Sequence, residues 1–299
     1  MAKEAFIQKK FNASSVEIIG KADTIIKEYQ KQGFVLTLRQ LYYQFVARGF
    51  LENSQQNYKR LGGIVSDGRL AGLLDWSAIE DRTRSVERPP QWDDPAHIVE
   101  AVASQYKEDL WIGQPCRPEV WIEKEALVGV IVPVCERWRL PYFACRGYAS
   151  QSAQYAASKR FLSYMHNKQK PIILHLGDHD PSGIDMTREN GAKVELLVGR
   201  HVEVRRLALN MDQVKQYDPP PNPAKATDAR FAGYADKYGL ESWELDALDP
   251  TVIDALINTQ IVGMIDEKKW NAARKHEELG REQLQAVSDR WDDVSEYVS

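Results

Sequence analysis

The stretch PIILHLGDHDPSGIDM, residues 171 to 186, ends an apolar run with Asp178 and Asp180 on either side of His179, then turns at Pro181 and Gly183. Another carboxylate, Glu123, closes the shorter apolar run EVWI at 119 to 122. In an open parallel sheet, ligands bind outside the carboxyl ends of the strands, so two such strand ends can bring Glu123, Asp178 and Asp180 together. Clustered carboxylates repel, and ionising each is costly unless a cation screens it. Oxygen-only donors around a small open site suit Mg2+ or Mn2+ better than zinc. The ordinary alternative is an Asx-rich turn that does no more than cap a helix. The strand before the turn and the matching strand-end glutamate favour the metal. Asp185 falls elsewhere on the following helix and reads as a surface or supporting residue.

The elements that must position these groups alternate. Strands are expected at 119–124, 141–147, 171–177 and 202–209. Helices are expected at 125–138, bent by Pro133, at 150–167, and from about Ser182 to Gly199. Strands alternating with helices mean a parallel sheet with helices on its faces, an α/β unit over about residues 110–210. A proline-rich connector, YDPPPNPAKATDAR (217–230), leads into a helical, acidic extension over 211–299. Its last helix, roughly 264–297, carries Trp270, Leu284, Trp291 and Val294 among charges, to cover the sheet or pair with another subunit.

Residues 1–90 read as short helices. SSVEIIGKADTIIKEYQKQG has a Ser14 or Ser15 cap and ends at Gly33, and TLRQLYYQFVARG runs from a Thr37 cap to Gly49. SQQNYKRLGGIVSDGRLAGLLDW is expected to form two helices split at Gly62-Gly63. Lys59, Arg60 and Arg69 on this second pair suit a helix-turn-helix or winged-helix module that binds DNA. A small helical bundle without DNA contact fits the pattern equally. The proline-rich RPPQWDDPA, 88–96, marks the expected domain boundary.

The 299 residues are 43% hydrophobic and 27% charged, with a net charge of −4. Residues 1–90 hold 14 Lys and Arg against 10 Asp and Glu, and residues 241–299 hold 6 against 14. This basic front and acidic tail soften the objection that net acidity raises to nucleic-acid binding. Cys116, Cys135 and Cys145 form no CxxC pair and read as free thiols in a reducing cytoplasm. No membrane span or secretory leader is expected.

A strand ending in Glu, followed later by one ending in Asp-x-Asp, resembles the toprim domain of topoisomerases, primases and some nucleases. The order of three blocks is similar to that in the topoisomerase VI A subunit and its relative, the transesterase that makes meiotic double-strand breaks. TLRQLYYQ looks like that family's nucleophilic tyrosine block, VWIEKEAL like its glutamate block and LGDHDPSGIDM like its aspartate block. RRLALNMDQV and WELDALDP look like segments downstream, so the likeness spans about residues 37 to 250.

The resemblance implies a winged-helix domain before a toprim domain, and a type IIB topoisomerase-like reaction on double-stranded DNA. Tyr43 aligns with the nucleophile, with Tyr42 one residue away, and Arg39 lies one helical turn from Tyr43 to hold phosphate or favour phenolate. Tyr43 would form a 5′-phosphotyrosyl link, with Mg2+ or Mn2+ on Glu123, Asp178 and Asp180. A homodimer is implied, with tyrosine from one subunit meeting metal from the other. The sequence contains no P-loop, so strand passage would need a separate ATPase subunit. The competing readings are a toprim nuclease using metal-activated water and a non-catalytic DNA-binding protein of the same fold.

Overall fold

The alternating strands and helices close into a four-stranded, all-parallel sheet in a computed structural model that describes residues 3–79 and 89–298. Its strands are β1 (Cys116–Ile122), β2 (Tyr142–Ala144), β3 (Lys170–Leu176) and β4 (Glu203–Ala208), in the order β2-β1-β3-β4. Central β3 is buried at every residue but the first, as an apolar run between two layers of helices must be. β1 begins three residues earlier than the pattern predicts and includes Pro118. Proline is tolerated there because β2 pairs with β1 only from Val120 onward, so no ladder bond is lost on that side.

Three helices precede the sheet: α1 (Ala13–Lys31), α2 (Leu38–Ala47) and α3 (Gln55–Leu70). Asn12, not a serine, caps α1, accepting from Ser15 N–H at 2.8 Å. Thr37 and Gln40 form a reciprocal capping box on α2. α3 runs unbroken through Gly62-Gly63, so the expected two helices are one. A Cβ at Gly62 would lie 3.1 Å from Leu38 Cδ2, so this glycine serves the close approach of α2 and α3 and does not end a helix. Their shared core gathers Ile25, Leu41, Phe45 and Leu61, with Tyr42 and Tyr43 packed in. Single bridges join Ala5 to Ala71 and Leu36 to Ile79, and no paired wing strands occur among the described residues. The expected boundary at 88–96 lies partly outside the described residues, and α4 (Pro95–Gln105) follows it.

Helices α5 (Val128–Arg137), α6 (Gln151–His166) and α7 (Pro181–Val198) connect the strands, and α5 holds Pro133 within it. After β4 come α8 (Met211–Tyr217), the two-residue strands β5 (Asn222–Pro223) and β6 (Glu241–Ser242) and, between them, α9 (Phe231–Tyr238). α10 (Pro250–Val262) buries Ile253, Ile257 and Ile261 in the same core as β1 and β3. The expected final helix is two, α11 (Glu267–Asp289) and α12 (Trp291–Val298), interrupted at Arg290. α11 packs on α4 and sets Trp270 against Trp111 and Trp138, ring centroids 5.5 and 5.6 Å away. Among the described residues no helix is long and apolar enough to cross a membrane.

Candidate active site

Parallel register pairs Ile122 with Leu176, so the chain leaves β1 and β3 side by side. The ladder continues one step, Glu123 N–H donating to the Leu176 carbonyl at 2.8 Å. The Glu123 side chain then crosses to the other strand, where its Oε2 accepts from Asp178 N–H at 2.9 Å. Gly177 makes room for it, since a Cβ there would sit 2.8 Å from the same oxygen. Of the three strand-tip acids expected to converge, Glu123 and Asp178 are joined directly. Asp180 has a second duty: its Oδ1 accepts from Gly183 N–H at 2.6 Å and caps α7. A Cβ on Gly183 would collide with the Asp178 carbonyl, which is why the turn needs glycine there.

Burial and the neighbouring Asp178 and Asp180 carboxylates push Glu123 up to about 7. Burial likewise raises Asp178, against the pull of Lys124. On the β4 side, Arg206 donates to the carbonyls of Gly177 (3.0 Å), Asp178 (2.5 Å) and Gly183 (2.9 Å), tying the whole turn down. Burial lowers the Arg206 guanidinium to about 10, opposed by the three nearby acids.

Two acids that pattern reasoning did not assign complete the cluster. Backbone bonds in both directions join His179 to Trp243, and Leu245 N–H donates to Asp178 Oδ1 at 2.8 Å. This pins the segment WELDALDP to the acidic turn and brings Glu244 and Asp246 with it. Lys124 Nζ lies 2.9 Å from Asp178, 2.8 Å from Asp246 and 3.0 Å from Glu244. Burial works against this ammonium, but the three carboxylates outweigh it and hold its pKa above the usual lysine value. Both segments were visible as family-like blocks, yet neither spacing nor type singled out Lys124, Glu244 or Asp246.

The donor chemistry suits a hard divalent cation, because every candidate ligand is a carboxylate oxygen. Fully ionised, Glu123, Asp178, Asp180, Glu244 and Asp246 exceed Lys124, Arg39 and Arg206 by two negative charges, and Asp246 Oδ1 is buried without a hydrogen-bond partner. Glu123 Oε1 and Asp180 Oδ2 make no hydrogen bond among the described residues. Asp178, by contrast, engages both oxygens, and among the described residues no three acidic, histidine or cysteine side chains form a ready ligand group.

The tyrosine pair divides cleanly. Tyr42 accepts from Ser54 N–H at 2.7 Å and donates toward the Ser54 carbonyl at 3.0 Å, so its oxygen is spent on holding the start of α3. Tyr43 is 4% exposed and lines a cavity of about 270 Å³ together with Arg39, Asn222 and Glu244. The Arg39 guanidinium carbon sits 5.8 Å from the Tyr43 ring centre. Burial and Glu244 push the phenol up to about 12, against the pull of Arg39. Arg39 forms an ion pair with Glu244 and reaches Asp246 at 3.4 Å. Ion pairs thus run from Arg39, beside Tyr43, through Glu244 and Lys124 to Asp178, whose N–H bonds Glu123.

The three expected DNA-contacting cations fare differently. Lys59 is exposed, and Arg60 is exposed with a 2.8 Å bond to Ser14 Oγ. Arg69 turns inward, 4.7 Å from the Trp76 ring centre and donating to the Trp76 carbonyl at 2.6 Å, and burial lowers its pKa. Asp185 bonds Tyr148 and Arg188, in keeping with a supporting part. No family model and no curated protein matches this chain.

Proposed function

We propose that the protein cleaves double-stranded DNA by transesterification through Tyr43, in the manner of a topoisomerase VI A subunit. The observation that carries this reading is the run of ion pairs from the Tyr43 cavity to Asp178, whose N–H in turn bonds Glu123. Arg39, 44% exposed at its side chain, is placed to receive a phosphate beside the phenol. The Tyr43 oxygen attacks phosphorus, the bond to the deoxyribose 3′ oxygen breaks, and a 5′-phosphotyrosyl link replaces it. The phenol proton passes to solvent water, because Glu244 in the same cavity is already paired with Arg39 and Lys124, which hold its pKa down against burial. The 3′ oxygen takes a proton from solvent water and leaves as a hydroxyl, and no nucleotide is consumed. Glu123, Asp178 and Asp180 would hold Mg2+ or Mn2+, which when bound offsets charge on the phosphate and the departing oxygen. Lys124 bridges Asp178, Glu244 and Asp246, offsets part of their mutual repulsion and so keeps the acidic tips together at low metal. A homodimer across the duplex and a separate ATPase subunit for strand passage belong to the same proposal.

A second reading, metal-activated water attacking in a toprim nuclease, is favoured by the near-complete burial of Tyr43. Supercoiled plasmid incubated with protein and Mg2+ or Mn2+, then treated with detergent with and without protease, separates the two. The tyrosine reading expects protein-linked linear or nicked DNA that Tyr43→Phe abolishes. Undiminished cleavage by Tyr43→Phe, with no attached protein, sinks it in favour of water.

A further inference from the structure

The cavity that holds Tyr43 and Arg39 has another phenol in its wall, Tyr58 from the first turn of α3. Tyr42 touches both tyrosines: its ring centre lies 5.6 Å from that of Tyr43 and 5.3 Å from that of Tyr58, edge-on to the latter. Ser54 holds Tyr42 in turn, so the Tyr58 ring rests on a fixed neighbour. Other polar groups of this wall are already engaged. Asn53 Nδ2 donates to the Pro221 carbonyl at 3.2 Å and to Asn222 Oδ1 at 3.0 Å, and Ser54 Oγ accepts from Asn57 N–H at 3.2 Å. The Tyr58 hydroxyl makes no hydrogen bond among the described residues, and Tyr58 is half-buried where Tyr43 is 4% exposed. A held aromatic ring with an uncommitted O–H, in the same cavity as the proposed nucleophile, is a donor available to a substrate.

Attack of a phenol on a phosphodiester loads negative charge onto the non-bridging oxygens, and donors fixed in advance at those oxygens stabilise the transition state. Arg39 is one such donor, but its ion pair with Glu244 offsets part of its charge. A neutral hydroxyl supplies a second hydrogen bond without the repulsion that a second cation beside Arg39 would bring. We propose that the Tyr58 hydroxyl donates a hydrogen bond to a non-bridging oxygen of the phosphate that Tyr43 attacks. Tyr58 keeps its proton throughout, and no bond to it forms or breaks. This role rests on the DNA-cleaving reading and adds to it a residue that touches the reacting phosphate.

Tyr58→Phe keeps the ring against Tyr42 and removes only the hydroxyl. The full chain, in excess over supercoiled plasmid with Mg2+, is followed for the rate at which protein-linked DNA appears, alongside a thermal melt and the anisotropy of a labelled duplex. A hydrogen bond to a charged oxygen, made in the transition state, predicts that Tyr58→Phe slows linkage about tenfold to a hundredfold. Melting temperature stays unchanged and duplex affinity stays within about twofold, because the loss falls on the transition state and not on binding. An unchanged rate in Tyr58→Phe, with Tyr43→Phe inactive, overturns the role of Tyr58 alone. A slower rate that comes with a lower melting temperature assigns Tyr58 to packing and overturns that role too. Linkage that persists in Tyr43→Phe and vanishes in Tyr58→Phe makes Tyr58 the attacking phenol and overturns both the role and the Tyr43 reading. No linked DNA from the unaltered protein overturns both as well.

Discussion

Of the ionisable side chains held away from their ordinary states at the site, Tyr43 and Glu123 each make a measurable demand. Tyr43, pushed up to about 12 by burial, is almost wholly protonated at neutral pH. If phenolate attack limits the rate, single-turnover cleavage rises about tenfold per pH unit between pH 7 and 9. A flat profile would exclude phenolate as the limiting species. Glu123 is raised from 4.5 to about 7, so the folded chain binds its proton more tightly than the unfolded chain does. Stability therefore falls as pH rises from about 4.5 to about 7 and stays lower above that, by about 3 kcal/mol in metal-free buffer. Glu123→Gln keeps an oxygen for Asp178 N–H and removes the charge, so urea melts at pH 5 and pH 8 should converge for that variant and differ for the unaltered protein. The acidic tips were legible because type, strand ending and sharp turn coincide in one short stretch. That Tyr42 spends its hydroxyl on Ser54 was not, since it depends on where Ser54 places its N–H; Tyr43 was picked out by the resemblance alone.

Glycine has two meanings along this chain that the letter alone does not distinguish. Gly62-Gly63 read as a helix break, yet α3 continues through both. Nothing lies within 4 Å of a Cβ placed on Gly63, whereas Gly62 faces Leu38. Gly63→Ala should therefore raise stability by about 0.5–1 kcal/mol through helix propensity, and Gly62→Ala should gain less because Leu38 must shift. Equal gains in urea denaturation would show that α2 and α3 do not approach closely there. The sheet was more readable than the helices. Its apolar runs are short, bounded and separated by amphipathic segments, while the break at Arg290 between α11 and α12 carries no proline or glycine to announce it. Arg69 was misplaced for a related reason: a basic residue on a helix reads as exposed until Trp76 is seen to fold back over it.

At the scale of the molecule, segment 241–249 joins the helical front to the sheet. Tyr29 bonds Asp249, Arg39 pairs with Glu244, and Asn53 bonds Asn222 at 3.0 Å in the adjoining β5. Lys124 sits where these connections meet. Lys124→Met leaves Asp178, Glu244 and Asp246 without their shared ammonium and should cost about 3 kcal/mol or more. Millimolar Mg2+ should recover part of that loss in a thermal melt, and no recovery would argue that the cluster does not accept a divalent ion. None of this joint is visible from pattern, because its partners lie far apart along the chain. Arg39 and Glu244 are separated by 205 positions. At translation speeds of about 5–20 residues per second, the ribosome finishes the tyrosine helix roughly 10–40 seconds before it makes the carboxylate that anchors its arginine. A nascent chain would hold Arg39 without Glu244 and Asp246 through that interval, so the ion pairs that join the helical front to the sheet close only after all four parallel strands have been made.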